Sequence, residues 1–406
     1  MSDSPDCCPL GRNWVEALSL HNFRNYTSLK LQLSPAPVVL VGANGAGKTN
    51  LLEAISLLSP GQGLRRATTV EFGCFSSGSY DWAVSADVHG IMGEARIGTG
   101  VTSNRLPGGS VPGQTDLDNG REVGSETLRR KIRMNGETLS SSTPLGQSIQ
   151  MLWLTPAMDG LFTGAASERR RFLDRLMLVF TPESRKQWNL FERAMRQRNK
   201  LLEDTNASPY LFEGLEMQMA ELGVAIAASR LETIERLRGV IAASRDRLNA
   251  FPFATIALDG VLETALEEKP AVDVEDDYRR LLSEGRQTDR AAKRTLIGPH
   301  RTDLLVGHGP KAMPARYCST GEQKALLTGL VLAHARLVYD KVGGYTPLLL
   351  LDEIAAHFDE IRRHALFDEI LALNCQAWMT GTDRQSFTYF GERAQLFTVN
   401  DAEIVA

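Results

Sequence analysis

The most informative stretch of this sequence is VVLVGANGAGKTNLLEAISLL, at residues 38–58. Its first four residues are apolar and predict a buried strand, and the apolar spacing after Lys48 predicts a helix. Between them lies GANGAGKT, at residues 42–49, which fits the pattern GxxxxGK[ST]. Glycines let backbone N–H groups turn inward around phosphate oxygens, and the start of a helix favours an anion. The stretch therefore predicts a phosphate-binding loop, with an ordinary glycine-rich loop as the plain alternative.

The residues of this loop have expected roles toward a nucleotide. Lys48 is expected to reach the β- and γ-phosphates, and Thr49 is expected to ligate Mg²⁺. The predicted nucleotide-binding residues are Gly42, Ala43, Asn44, Gly45, Ala46, Gly47, Lys48, Thr49 and Asn50.

A second apolar strand, at residues 348–351, ends in Asp352 and Glu353. A buried strand of this kind places the residues that follow it at its carboxyl end, beside the phosphate loop. Asp352 is expected to hold Mg²⁺ directly or through water, and Glu353 to polarise the attacking water as general base. Taken alone, the pair would also suit a strand that ends in a solvated acidic turn.

The segment STGEQ, at residues 319–323, precedes an apolar helix. Ser and Gly at the start of a helix make an end that binds anions. By itself, this segment would more simply be a helix cap without a ligand. Its place between the phosphate loop and the acidic strand favours a role for Ser319 and Gly321 at a γ-phosphate.

Composition bounds the class of protein. The 406 residues suggest two to three domains, and 43% hydrophobic with 23% charged residues excludes global disorder. The net charge of −4 neither indicates nor excludes a nucleic-acid binder. There is no apolar run of transmembrane length and no signal-peptide pattern at the start, so we expect no membrane association. Five cysteines without a CxxC pair predict a reduced, cytoplasmic protein without disulfides or a zinc site.

Changes of pattern along the chain predict three segments. Residues 1–181 hold the phosphate loop, residues 182–292 have the character of long helices, and residues 293–406 return to alternating strands and helices. The helical segment has an apolar seam that is interrupted near Arg230.

Three further features are expected in the first segment. Alternating apolar and polar residues predict hairpins at 13–33 and around the Asn-Gly pair in 131–137. A stretch rich in Gly, Ser, Thr, Pro and Asp predicts a surface insertion at 99–128.

The segment at 319–323 resembles the signature motif of ABC-type ATPase heads. Asp359 stands six residues after Glu353, at the spacing of that superfamily's D-loop aspartate. Within the superfamily, the chain is similar to the RecF family of bacterial recombination and repair ATPases, which is related to the SMC proteins. The segments that carry this resemblance are LHNFRNY at 20–26, GAGKTNLLEA at 45–54, RRRFLD at 169–174 and GPHRTDL at 298–304.

The chain departs from that family's usual pattern at residues 156–161 and in the insertion at 99–128, which is longer than expected. PAMDGL, at 156–161, stands where the family usually has an acidic stretch, so no Q-loop glutamine is assigned. The third strand is followed by no histidine, where transporter ATPases carry a switch histidine. TGTD, at 380–383, stands there instead; this resembles the RecF family and leaves the γ-phosphate sensor unassigned.

The resemblance implies an α/β fold: an ABC-type ATPase head of the phosphate-loop NTPase class with an inserted helical arm domain. It implies ATP and Mg²⁺ as cofactors and Lys48, Ser319, Gly321, Glu353 and Asp359 as catalytic residues. One chain offers one phosphate loop and one signature segment. Two chains would therefore complete each other's sites, in a homodimer that holds two ATP molecules and closes on DNA.

For function, the resemblance implies ATP-dependent DNA binding in recombinational repair and replication restart, on single-stranded, gapped or junction DNA. It implies support of recombinase loading and SOS induction, the recombination mediator RecR as a partner, and slow, DNA-stimulated ATP hydrolysis. The rival interpretations are a transporter ATPase subunit, an SMC-like structural tether, and a module that holds ATP without hydrolysing it.

Several basic clusters are candidates for contacts with DNA phosphates, which need only Lys or Arg on a common surface. Arg65 and Arg66 are the preferred pair because they follow the phosphate-loop helix. Each cluster taken singly is more often a solvated face. The other clusters lie at residues 129–131, 169–171, 193–200 and 293–294.

Two smaller questions concern single segments. Residues 23–26 either approach the nucleotide or simply pack in a strand, and both alternatives stay open. His300 is expected to be a hydrogen-bonded interior residue rather than a base.

Overall fold

The computed structural model of this chain describes residues 12–74, 80–102, 129–204, 206–354 and 358–405. The chain divides into two compact units, one formed by Met1–Pro156 with Val338–Ala406 and the other by Ala157–Leu337. The boundaries of these units differ from the segment boundaries expected after residues 181 and 292.

Both units contain strands and helices. The strands, in chain order, are β1 (Trp14–Phe23), β2 (Tyr26–Gln32), β3 (Val38–Val41), β4 (Trp82–Gly90), β5 (Gly93–Val101), β6 (Lys131–Met134), β7 (Glu137–Thr138), β8 (Met151–Leu154), β9 (Ala254–Asp259), β10 (Asp303–His308), β11 (Met313–Pro314), β12 (Leu348–Leu351), β13 (Ala377–Gly381), β14 (Gln395–Asn400) and β15 (Glu403–Val405). The helices are α1 (Lys48–Ser56), α2 (Thr143–Ser148), α3 (Ala166–Leu178), α4 (Ser184–Glu203), α5 (Pro209–Ala243), α6 (Val261–Glu268), α7 (Ala271–Glu284), α8 (Arg286–Ala292), α9 (Thr320–Lys341) and α10 (Glu360–Leu373). None of the helices in these described ranges is long and apolar enough to cross a membrane.

A mixed sheet in the first unit has the strand order β15-β14-β3-β13-β12-β8. All its pairs are parallel except the antiparallel pair of β14 and β15. Every residue of β3 and β12 is buried, as expected of parallel strands covered on both faces. Because β3, β12 and β13 run in one direction, the residues that follow them meet at one edge of the sheet.

An antiparallel sheet in the same unit has the order β2-β1-β4-β5-β6-β7. It contains both expected hairpins, and the second turns at Asn135 and Gly136, whose φ angles are 52° and 88°. The expected insertion begins too early in the prediction, because residues 99–101 pair with β4 and β6 in the sheet. Its residues 103–128 lie outside the described part of the chain.

A buried glutamine joins these two sheets. Gln376 is fully buried; its Oε1 accepts from Val15 N at 2.9 Å, and its Nε2 donates to Val15 O at 3.0 Å and Ser34 O at 2.8 Å. The side-chain amide thereby pairs with β1 as a neighbouring strand would, and it satisfies its own polar atoms inside the core.

The second unit contains a helical layer and a small sheet. α5 packs against α4 and α7, and β9 pairs with β10, which also pairs with β11. The segment 182–292, for which long helical stretches are predicted, contains the helices α4 to α8 and also the strand β9. β9 pairs with β10, which begins only at Asp303. Helix α3, expected in the first segment, packs on β10 and α5 in this unit.

Arg230 does not interrupt the seam of α5. Its side chain is fully buried, lies 2.8 Å from Asp174 and 3.6 Å from Glu263, and donates to Pro299 O at 2.6 Å. The buried face continues through this residue because its charge is paired by groups that lie far away in the sequence.

Arg198 on α4 is the centre of a second buried ion-pair network. Its Nη1 lies 2.6 Å from Asp289 Oδ2, its Nε lies 3.0 Å from Glu216 Oε1, and its Nη2 donates to Leu282 O at 2.6 Å. The arginine is 0% exposed. Without Arg198, the carboxylate of Asp289 would lose its ion-pair partner in a medium of low dielectric constant, whereas Glu216 would keep its pair with Arg286.

We therefore expect Arg198→Met to lower the free energy of unfolding by about 3–5 kcal/mol, because it breaks a buried network from one side. The measurement is guanidinium-induced unfolding followed by circular dichroism. Arg196→Met is the matched control, since Arg196 lies on the same helix, is 71% exposed and makes a 4.0 Å pair with Glu192. Equal losses in the two variants would contradict a stabilising role for the buried network.

Candidate nucleotide-binding site

The predicted phosphate loop joins β3 to α1 at the carboxyl edge of the mixed sheet. Gly42 N donates to Gly381 O, at the end of β13, over 3.2 Å. Gly45 and Gly47 have φ angles of 84° and 114°, a backbone region that residues with a Cβ rarely adopt. The glycines of the motif are therefore required by the shape of the loop itself.

Lys48 lies over this loop. Its Nζ donates to Gly42 O at 2.6 Å and to Ala43 O at 2.8 Å, and the residue is 4% exposed. Burial lowers the pKa of Lys48, while the charges of Glu353 and Asp352 oppose that shift. A cation held at this position is able to neutralise phosphate charge.

Asp352 is tied to the loop through hydroxyl groups. Its Oδ1 accepts from Thr49 Oγ1 at 3.0 Å and from Thr380 Oγ1 at 2.7 Å. Thr380 Oγ1 in turn accepts from Glu353 N at 2.8 Å. Thr49 and Asp352 are 303 positions apart, so the fold brings together the two residues that the sequence predicted as metal ligands. The link through Thr380 was not predicted from the sequence; its one signal was TGTD in place of a switch histidine.

The oxygens of Thr49 and Asp352 fit a magnesium ion. Mg²⁺ prefers oxygen ligands and is usually held by one or two carboxylates together with phosphate oxygens and water. Within the described ranges, no group of three or more His, Cys, Asp or Glu side chains is arranged to hold a metal ion. The hydroxyl and carboxylate could therefore hold Mg²⁺ in company with a nucleotide.

The turn between β1 and β2 holds the phosphate loop from outside the mixed sheet. Asn25 Nδ2 donates to Ala46 O at 3.3 Å, and Tyr26 Oη donates to Gly47 O at 3.1 Å. A Cβ on Gly47 would lie 2.6 Å from Asn25 Nδ2 and 2.7 Å from Tyr26 Oη. Asn25 and Tyr26 thus contact the phosphate loop, and an approach of residues 23–26 to the nucleotide stays a prediction.

Arg24 and Arg65 meet at a buried carboxylate on α1. Arg24 makes two hydrogen bonds to the fully buried Glu53, at 2.8 and 2.9 Å, and Arg65 Nη1 lies 3.5 Å from the same carboxylate. Arg65 Nη1 also donates to Asn50 Oδ1 at 3.0 Å. Arg65 and Arg66 are both exposed, as a DNA contact requires, and Arg65 is connected to the helix that begins at Lys48.

The signature segment lies in the second unit. Ser319 N and Oγ each lie 3.0 Å from Glu322 Oε2, and Glu322 N donates back to Ser319 Oγ at 3.4 Å. This reciprocal pair is a capping box at the start of α9. Hydrogen bonds from Lys311 and then from Ser319 lower the pKa of Glu322 to about 2.

Gly321 stands in the first turn of α9 without a structural need for glycine. Its φ is not positive, and a Cβ placed there would meet no atom of the described residues within 4 Å. Gln323 Nε2 donates to Cys318 O at 2.9 Å and so fixes the approach to the helix.

Asp359 begins α10. Its Oδ1 accepts from Arg362 N at 2.8 Å, the bond expected of an N-cap residue. The structure thus gives this aspartate a local capping role, and its expected catalytic role stays a prediction.

The basic cluster at residues 169–171 forms internal bonds. Arg169 makes two hydrogen bonds of 2.8 Å to Asp303, and Arg170 donates to Thr302 O at 2.8 Å.

His300 Nε2 lies 2.9 Å from Thr295 O, and burial lowers the pKa of the histidine. The expectation of an interior, hydrogen-bonded His300 is confirmed.

The chain matches known proteins over nearly its whole length. The family model of the RecF/RecN/SMC N terminal domain matches residues 14–404. The chain is 50% identical to the DNA replication and repair protein RecF of Mesorhizobium japonicum over 96% of this chain and 97% of that protein. It is 49% identical to the protein of the same name from Agrobacterium fabrum, over 97% of this chain and 98% of that protein.

Solved structures show the same fold at lower identity. The recombination mediator protein RecF with ATPrS, described as part of the RecFOR pathway, superposes with a TM-score of 0.79 at 21% identity and covers 97% of this chain and 98% of that chain. The Smc head domain of Pyrococcus furiosus superposes with a TM-score of 0.53 at 15% identity, covering 97% and 96%. The predicted ABC-type ATPase fold class is thereby confirmed. Because this chain is about 50% identical to a RecF protein over nearly its full length and matches the family model, it belongs to the RecF family.

Proposed function

We propose that this chain is an ATP-dependent DNA-binding protein of recombinational repair and replication restart. The observation that carries the proposal is the meeting of Lys48 and Thr49 of the phosphate loop with Asp352 and Glu353 of the acidic strand. The arrangement supplies a cation for phosphates, two oxygens for Mg²⁺ and a carboxylate beside them. The names of the related RecF proteins support repair and replication as the setting.

In this proposal, ATP is held by residues 42–50. Lys48 neutralises the β- and γ-phosphates, and Thr49 with Asp352 holds Mg²⁺, which offsets charge that develops on the transferred phosphoryl group. The side chains of Asn25 and Tyr26 donate hydrogen bonds to the carbonyl oxygens of Ala46 and Gly47 and so stabilise the loop that binds the phosphates.

Glu353 is the proposed general base for hydrolysis. A carboxylate next to the metal ligand is able to accept a proton from the attacking water. We propose slow hydrolysis that DNA stimulates, so that ATP binding favours one global state and hydrolysis releases it. The protein would then act as a switch rather than as a motor.

We propose that the signature segment works across a homodimer. Gly321 supports this role, because a glycine in a helical turn destabilises the helix by roughly 0.5–1 kcal/mol relative to alanine, and neither its φ nor its described surroundings require it. A γ-phosphate of a second chain's ATP would need the close backbone approach that glycine allows. Ser319 would donate to the same phosphate, and Asp359 would lie at the dimer junction.

We propose that the dimer closes on single-stranded, gapped or junction DNA, with Arg65 and Arg66 among the phosphate contacts. Arg65 supports this choice because it bonds to Asn50, two residues after Lys48. A DNA phosphate that binds Arg65 would change the contacts of the helix that holds the nucleotide. This connection is a physical route by which DNA could stimulate hydrolysis.

The partners follow from the same setting. The solved relatives are described as the recombination mediator RecF of the RecFOR pathway, which supports RecR as a protein partner. We further propose recombinase loading and SOS induction as the outcome.

The length of helix α5 argues against the rival interpretation as an SMC-like tether. The 35 residues of α5 give a helix of roughly 50 Å, far shorter than the coiled coil that bridging chromosomes needs.

Glu353→Gln is expected to keep nucleotide affinity within about threefold and to lower the rate of hydrolysis by about 10²–10⁴, because glutamine cannot accept the proton. Phosphate release in single-turnover experiments and equilibrium nucleotide titration give the two values. Glu360→Gln is the control, since that side chain is 76% exposed on α10. Undiminished turnover in Glu353→Gln would remove Glu353 from the role of base.

The double variant Arg65→Gln, Arg66→Gln is expected to weaken DNA binding and to flatten its salt dependence. Loss of two phosphate contacts reduces the slope of log affinity against log salt by about 1.4–1.8. The measurement is fluorescence anisotropy of gapped DNA at several salt concentrations. Arg279→Gln, Arg280→Gln is the matched control, because both side chains are exposed and pair with Asp276 and Asp277 on their own helix. An unchanged slope would place the DNA contacts elsewhere.

A further inference from the structure

Thr380 lies at the centre of the candidate site and has no assigned role in the reaction described above. It is the fourth residue of β13, and its side chain is fully buried. The three residues before it in the strand, Ala377, Trp378 and Met379, are also buried and are apolar. A hydroxyl group in such surroundings destabilises the fold unless its hydrogen bonds are made.

Both hydrogen bonds of this hydroxyl go to the acidic pair. Thr380 Oγ1 donates to Asp352 Oδ1 at 2.7 Å and accepts from Glu353 N at 2.8 Å. Thr49 donates to the same oxygen of Asp352, so neither hydroxyl uses Oδ2. The two hydroxyl groups thus fix Asp352 Oδ1, and neither of them donates a hydrogen bond to Oδ2.

The bond to Glu353 N holds an unusual backbone conformation. Glu353 has a φ of 53°, in the left-handed region that residues with a Cβ avoid. A residue persists in this conformation only when its surroundings hold it there. The direction in which the Glu353 side chain leaves the backbone therefore depends on the acceptor that Thr380 provides.

We propose that Thr380 is a positioning residue, whose single hydroxyl fixes the Mg²⁺ ligand Asp352 and the base Glu353 relative to one another. This inference rests on the proposed function, since it assigns Thr380 a part in that same reaction. Thr380 acts through these two residues, since its hydroxyl donates to the carboxylate of Asp352 and accepts from the backbone N–H of Glu353. Asp352 and Glu353 are both hydrogen-bonded to Thr380 Oγ1 on β13, so the position of the metal ligand is fixed relative to that of the base.

The test compares Thr380→Val, which keeps the shape and removes the hydroxyl, with Thr380→Ser, which keeps the hydroxyl. Thr346→Val is the matched control, because Thr346 is 1% exposed in the same unit and its Oγ1 has no hydrogen-bond partner among the described residues. Thr380→Ala repeats the removal in case valine disturbs folding.

The first readout is amide hydrogen exchange at Glu353 in the protein without nucleotide. We expect faster exchange in Thr380→Val and Thr380→Ala, and protection close to that of the unsubstituted chain in Thr380→Ser and Thr346→Val. Unchanged protection in Thr380→Val, or equal loss in Thr380→Ser, would overturn the proposal.

The second readout separates binding from turnover. We expect Thr380→Val to lower kcat and the Mg²⁺-dependent part of ATP affinity by about 10–100-fold, the effect typical of groups that orient metal ligands, with ATP affinity without Mg²⁺ unchanged. Thr380→Ser should restore most of the loss. Should the unsubstituted chain neither bind nor hydrolyse ATP, the proposed function would fail, whereas the exchange experiment would still decide whether Thr380 holds Glu353.

Discussion

One carboxylate oxygen, Asp352 Oδ1, joins the parts of the candidate site. It accepts from Thr49, at the start of α1, and from Thr380, in β13, while its own residue follows β12. These three elements meet because β3, β13 and β12 are parallel neighbours whose carboxyl ends share one edge. The hydrophobic effect favours burial of these apolar strands, and their parallel pairing holds the polar groups at their ends close together.

The local motifs could be predicted from the sequence because the conformation of each one is determined by a few neighbouring residues. The glycines at 45 and 47 and the Asn-Gly turn at 135 are examples, since positive φ angles select these residue types wherever they occur. Thr380 could not be found in this way. A threonine in a strand is ordinary, and only the fold shows that its hydroxyl faces Asp352 and Glu353.

The burial of charged residues is a second feature that could not be predicted from the sequence. Arg230 and Arg198 suggest interrupted or solvated helix faces when only their neighbours along the chain are considered. Their partners Asp174, Glu216 and Asp289 lie 18 to 91 positions away, so their burial is decided by tertiary contacts. The strand β9 was missed for the same reason, because its pairing with β10 is not local.

We propose that Ser319 and Gly321 meet the γ-phosphate of a second chain, which predicts a dimer that forms with ATP. Light scattering of Glu353→Gln, with and without ATP and Mg²⁺, measures this directly through the molar mass in solution. We predict that ATP doubles the mass, and that adding Ser319→Arg abolishes the doubling while nucleotide binding survives. A mass that never changes, even with gapped DNA present, would contradict the dimer and leave a monomeric nucleotide-dependent binder.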